Sequence, residues 1–147
     1  MRNDGRLSRM LHVLIHMVRH DGPMTSEAIA RMLGTNPVLI RRTMAGLRDA
    51  GYVRSEKGHG GGWAIAADLH AVTLLDVHRA VGGRRLFAIG IEQPEPGCQV
   101  ASVVNDALGD ALQEAERLLV ARLGSITLAA LVDTFNDRRD GAGRSID

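Results

Sequence analysis

The chain has 147 residues, 45% of them apolar and 24% charged, enough for one small core with an appendage. Eighteen basic residues against seventeen acidic ones leave a formal net charge of +1, so attraction to a polyanion must come from how charge is placed rather than from its total. No run reaches the roughly 18 apolar residues of a membrane helix, Met1 to Gly5 leads into charged periodic sequence rather than a signal-peptide core, and the single cysteine, Cys98, rules out a disulfide framework or a zinc site built mainly from thiolates. A cytoplasmic protein with no membrane partner is expected.

Leu7, Met10, Leu11, Leu14, Ile15 and Val18 recur at steps of three and four, which predicts an amphipathic first helix ending near Asp21, Gly22 and Pro23. Thr25 or Ser26 caps a short second helix through Leu33, and Gly34 closes it. Asn36 is a preferred N-cap and Pro37 suits the first helical position, so a third helix starts there and runs to about Ala50 and Gly51. Its apolar positions Leu39, Ile40, Thr43, Met44 and Leu47 turn to the core and leave Asn36, Val38, Arg41, Arg42 and Arg48 to groove or solvent. This is the pattern of a helix-turn-helix with its recognition helix second.

Tyr52-Val53-Arg54 and Trp63-Ala64-Ile65 read as short strands around a tip, Lys57 to Gly62, in which four of the six residues are glycine. Phosphate-cradling loops are also glycine-rich, but they open directly into a helix carrying lysine and then serine or threonine, and here a strand follows. The hairpin therefore reads as a wing, with Trp63 as its packing anchor rather than a base-stacking group. Thr73-Leu74-Leu75-Asp76 is a capping box with Asp in place of Glu, and it opens a fourth helix with Val77, Ala80 and Val81 inward and a stop at Gly82-Gly83.

Residues 84–97 mix Leu86-Phe87-Ala88-Ile89 with Pro94 and Pro96 and read as a linker. From Cys98 to Leu123, Val100, Val104, Ala107, Ala111, Ala115 and Leu118 form a helical stripe about 39 Å long. A helix of that length with small residues in its stripe is better buried against a symmetry mate than left on a monomer surface, so a homodimer is expected. Gly124-Ser125 is expected to close it and to cap a last helix from Ile126 to about Phe135. The expected fold is mainly α: a winged helix-turn-helix domain over 1–83 with a β-hairpin wing, a linker over 84–97, dimerisation helices over 98–137 and a disordered polar tail over 138–147.

Charge is placed unevenly along this framework. Between Asn36 and His59, Arg41, Arg42, Arg48, Arg54 and Lys57 outnumber Asp49 and Glu56 by three, whereas between Glu92 and Leu118 six acids stand against Arg117 alone, an excess of −5. One end suits phosphates and the other repels them. Lys57, the only lysine, sits at the wing tip, where a flexible cation can reach a backbone phosphate or a minor groove.

The helix-turn-helix, the run Gly51-Tyr52-Val53-Arg54-Ser55 leading into Lys57-Gly58-His59-Gly60-Gly61-Gly62-Trp63, then Ala66 and the segment Val72 to Val81, together resemble the Rrf-two family of bacterial winged-helix transcription regulators over about residues 7 to 135. That family includes the iron-sulfur cluster regulator and repressors of nitric-oxide sensing and cysteine metabolism. The resemblance implies a homodimer on a pseudo-palindromic operator in double-stranded DNA, a repressor rather than an activator, with the long helix crossing between subunits. By position it places groove contacts on Asn36, Val38, Arg41 and Arg42 of the third helix and on Lys57, Gly58 and His59 of the wing, with Arg48 further along the same helix. Thr25 and Ser26, at a helix start, are candidate phosphate anchors. Arg41 and Arg42 can each pair with guanine O6 and N7, worth about 1 to 3 kcal/mol of discrimination, or contact phosphate without reading sequence. Cluster-binding members carry three cysteines around the start of the long helix; only Cys98 is present here, so no iron-sulfur cluster, and no other cofactor, is expected. Cys98 is a redox-sensing thiol or a small buried residue, and a small-molecule effector has no readable motif.

Other functions fit the residues less well. His12, His16 and His20 share one face of the first helix, but the outer two stand about 12 Å apart along its axis, so adjacent pairs can chelate whereas all three cannot hold one ion. This makes a metal-responsive sensor the alternative to a redox one. An enzyme is not expected, since no paired carboxylates, no nucleophile beside a base and no cofactor loop occur in a suitable context. A winged helix used only to bind proteins would be expected to have a neutral or acidic recognition helix, against Arg41, Arg42 and Lys57.

Overall fold

The computed structural model describes residues 4–83, 86–87, 89–92 and 96–143. Its elements are α1 (Arg6–Arg19), α2 (Ser26–Leu33), α3 (Pro37–Asp49), β1 (Val53–Glu56), β2 (Gly62–Ile65), α4 (Leu74–Ala80), α5 (Gln99–Ser125) and α6 (Leu128–Gly143). The helix starts follow the capping chemistry of the sequence. Thr25, rather than Ser26, caps α2, its Oγ1 accepting from the Ala28 amide at 3.1 Å, and Gly34 ends that helix in the left-handed conformation. Asn36 Oδ1 accepts from the Leu39 amide at 2.9 Å with Pro37 in the first turn of α3. In α4 both arms of the Thr73–Asp76 capping box are formed.

The core lies where α1, α2, α3, the hairpin and α4 meet. Met10, Val13 and Leu14 of α1, Ile29 of α2, Ile40, Met44 and Leu47 of α3 and Val77 of α4 are all but inaccessible, and burial of each such side chain contributes on the order of 1.5 to 3 kcal/mol. The buried face of α1 is centred on Met10, Val13, Leu14 and Met17, so the sequence stripe is displaced by part of a turn: Ile15 and Val18 are only half-buried. Gly46 lets α3 cross α4 closely, because a Cβ there would overlap the Ala80 carbonyl oxygen. β1 and β2 pair antiparallel from Val53 opposite Ile65 to Glu56 opposite Gly62, so the strands run further than predicted on the β1 side and the tip narrows to Lys57–Gly61.

The C-terminal third departs from expectation. α5 continues through Ser125, whose hydroxyl donates to the Arg122 carbonyl at 2.7 Å instead of capping the next helix. That cap is Thr127, whose Oγ1 accepts from the Ala130 amide at 3.1 Å. α6 then runs to Gly143, so residues 138–143 are helical rather than a disordered tail, and only 144–147 of that stretch lie outside the described residues. α6 also packs on the first domain. Leu128 and Ala129 are buried, Thr127 bridges to Thr73, the Leu128 amide donates to the Val72 carbonyl at 2.9 Å, and Arg19 of α1 lies 4.4 Å from the centre of the Phe135 ring. Part of the expected linker, residues 84, 85, 88 and 93–95, lies outside the described residues.

Candidate nucleic-acid interface

Because Ile40, Met44 and Leu47 are drawn into the core, the helical period turns Val38, Arg41, Arg42 and Arg48 of α3 outward, and all four are exposed. Val38, the second residue of α3, keeps 59% of its surface in solvent, where an apolar side chain suits a thymine methyl group. The two arginines are not equivalent. Arg41 Nη1 reaches back to Glu27 Oε1 of α2 at 3.2 Å, whereas Arg42 has no acidic partner among the described residues. Arg48 stands about 15 Å along the axis from Val38, at the far end of the helix, and pairs with its neighbour Asp49 at 3.5 Å. The structure thus groups Asn36, Val38, Arg41 and Arg42 at one end of α3 and sets Arg48 apart from them.

Asn36 spends its carbonyl oxygen on the cap, which leaves the amide nitrogen as a donor, and the Thr25 hydroxyl likewise accepts from Ala28 while keeping a proton to give. Ser26 does not meet its expected role as a phosphate anchor. Its side chain is buried, and its Oγ accepts from the Trp63 indole Nε1 at 2.9 Å, so the hydroxyl ties α2 to the hairpin instead of facing a ligand. The partners stand 37 positions apart in the chain, so no local signal gave the contact.

Trp63 is the anchor the sequence suggested. It is buried, its backbone exchanges hydrogen bonds of 2.8 and 2.9 Å with Met24, and Gly62 beside it has no room for a Cβ against the Met24 carbonyl. With its base held in this way, the hairpin projects a tip in which Gly58 and Gly60 adopt positive φ and the Gly61 amide closes a turn onto the Gly58 carbonyl at 3.0 Å. Lys57, Gly58 and His59 are exposed there, and Lys57 has no acidic partner among the described residues. Arg54 on β1 was not among the predicted contacts. It is exposed, its guanidinium held by Glu56 at 3.1 Å and by the Ile65 carbonyl at 3.0 Å, which fixes a cation on the flank of the wing. Burial, helped by Asp76, pushes the Tyr52 phenol above its ordinary value, so it stays a neutral packing group at the base of the hairpin.

Glu27 was also missed, and it carries a testable consequence. It places a carboxylate beside the arginine pair, so Glu27→Gln should strengthen binding to duplexes of random sequence a few-fold at low salt, with a stability change of less than about 1 kcal/mol. Fluorescence anisotropy checks this; weaker binding would instead mean that Glu27 holds Arg41 in its productive position.

The other predicted site residue, Cys98, is exposed and immediately precedes α5. It is not the small buried residue that was one of its two readings. Exposure alone assigns it no role.

Comparison with known proteins gives a consistent result. Residues 4–134 match the Rrf2 family, described as an iron-dependent transcriptional regulator. YwnA of Bacillus subtilis, named as an HTH-type transcriptional regulator, is 32% identical over 126 residues, covering 85% of this chain and 92% of its own. A transcriptional regulator from Lactobacillus plantarum superposes with a TM-score of 0.73 at 23% identity over 90% of both chains. CymR, the global cysteine regulator of B. subtilis, superposes at 0.61 with 21% identity over 91% of this chain and 98% of its own. At these identities the two superpositions establish the winged-helix fold alone.

Proposed function

Since the chain belongs to the Rrf2 family of transcription regulators, non-enzymatic proteins that act by binding DNA, we propose that it is a homodimeric repressor of a pseudo-palindromic operator, read by α3 and clamped by the wing. The observation that carries this reading is the pairing of an exposed helix face, Val38 with Arg42 unpartnered beside it, with a hairpin whose tip presents an unpartnered lysine. Val38, Arg41 and Arg42 lie near the N-terminus of α3, the end that recognition helices turn toward base edges, and Thr25 and Asn36 cap helices whose starts suit phosphates. Arg48, one end of the helix away, is assigned to the phosphate backbone.

A second copy supplies the other half-site. Not one residue of α5 is buried, although it spans 27 residues and about 40 Å, and Val100, Val103, Val104, Leu108 and Leu118 stand 42–74% exposed along it. Such a surface on a soluble chain calls for a partner, and α5 of a second copy is the partner its length and small residues suit. Sedimentation of the wild type should give a dimer, and Val104→Asp with Leu118→Asp should give a monomer whose operator affinity falls at least about a hundredfold through loss of the linked half-site. A monomeric wild type would remove the dimeric reading.

Repression follows from a dimer that occludes the promoter it occupies. A hollow of about 340 Å³ between Leu86, Phe87, Ile89 and Ile91 and the α5 residues Leu112 and Glu116 is the candidate place for a small-molecule effector. An iron-sulfur cluster does not fit the donors present: the chain has one thiol, Cys98, and among the described residues no three His, Cys, Asp or Glu side chains converge on a common point.

A further inference from the structure

The exposed face of α1 holds a feature that DNA binding does not use. His12 and His16, one turn apart, bring their Nε2 atoms to 3.0 Å, with ring centres 4.8 Å apart and planes tilted by 46°. His20, the next in the series, is turned away, its Nδ1 lying 2.9 Å from the Gly22 carbonyl oxygen. Both rings of the close pair are exposed, while the opposite face of the helix, Met10, Val13, Leu14 and Met17, is locked into the core, so the backbone that carries the pair is held before any ligand arrives. Small rotations of the two exposed side chains would place both Nε2 atoms about 2.0 to 2.1 Å from one metal ion.

We propose that His12 and His16 form a two-nitrogen chelate for a divalent transition metal such as Cu(II) or Ni(II). Among the described residues no third His, Cys, Asp or Glu joins them, so water or a small ligand fills the remaining positions and the ion exchanges freely. On binding, the ring that donates through Nε2 moves that proton to Nδ1 by way of solvent, both Nε2 lone pairs go to the metal, and the protein's charge is otherwise unchanged. The chelate spans one turn of α1 and so ties down the helix that forms the floor of the domain.

Calorimetric titration of the full chain with Ni(II), beside copper-loaded electron paramagnetic resonance, tests the assignment on four proteins: wild type, His12→Gln, His16→Gln and His20→Gln. The wild type should bind one Ni(II) with a raised melting temperature, and its Cu(II) spectrum should show two coordinated imidazole nitrogens. His12→Gln and His16→Gln should each lose roughly tenfold or more in affinity, because the second imidazole of a chelate acts at high effective concentration. His20→Gln should bind as the wild type does. Affinity within twofold of wild type in both His12→Gln and His16→Gln would overturn the proposal, as would an equal loss in His20→Gln. Exposed glutamines keep a helical side chain at these positions, and matching circular dichroism verifies that the fold is retained.

Discussion

Trp63→Ala should lower the free energy of unfolding by about 3 to 5 kcal/mol, a large part of the roughly 5 to 15 kcal/mol a domain of this kind has. The indole is one of only two large aromatic side chains near the hairpin; it fills the space between β2 and α2, and its Nε1 donates to the buried Ser26 hydroxyl at 2.9 Å. Thermal unfolding should fall by about 10 °C or more, and the hairpin amides should lose hydrogen-exchange protection beyond what the global change explains. Trp63→Phe separates the two contributions. It keeps most of the apolar filling but leaves Ser26 Oγ buried without its donor, at a cost of about 1 to 3 kcal/mol, and adding Ser26→Ala should recover part of that loss. If Trp63→Phe with Ser26→Ala is no more stable than Trp63→Phe alone, the hydrogen bond has no part in holding the wing.

That contact marks where the sequence stops being legible. The local signals were readable because each is complete within a few residues: the Asn36-Pro37 start of α3, the Thr73–Asp76 box, the left-handed Gly34 and the glycine tip all form as their chemistry requires. Ser26 and Thr25 are equally good caps by composition, and what decides between them is Trp63, 37 residues away. The partnership of Arg41 with Glu27 depends in the same way on how α2 lies against α3. At the C-terminus, the polar run Asp137-Arg138-Arg139-Asp140 hid a helix whose stability comes from Leu128, Ala129 and Phe135 docking on the first domain. For α5 the length was readable, and so was the exposure of its stripe, because among the described residues no other helix matches its 27 residues.

The second large effect is expected on DNA. Arg42→Ala should weaken binding to the preferred operator by about 1 to 3 kcal/mol, roughly 5- to 150-fold, and flatten the preference at one base pair in each half-site. Its guanidinium is free of acidic partners, so it is available for a bidentate contact at no cost in a broken ion pair, unlike Arg41. Lys57→Ala should act differently, weakening specific and random duplexes alike and reducing the slope of log affinity against log salt by about one per wing. Competition binding at two salt concentrations distinguishes the two patterns. Equal losses on all sequences for Arg42→Ala would reassign it to phosphate, and no loss in either variant would remove α3 and the wing from the interface.

Two copies of this chain should read two copies of one half-site. Selection of bound sequences from random duplex DNA, with the purified protein at low and at near-physiological salt, measures this. The expected result is an inverted repeat whose half-sites are separated by about one helical turn or a multiple of it, enriched more strongly at the higher salt as non-specific phosphate binding fades. Enrichment of a single unrepeated site, or no enrichment at either salt, would contradict it.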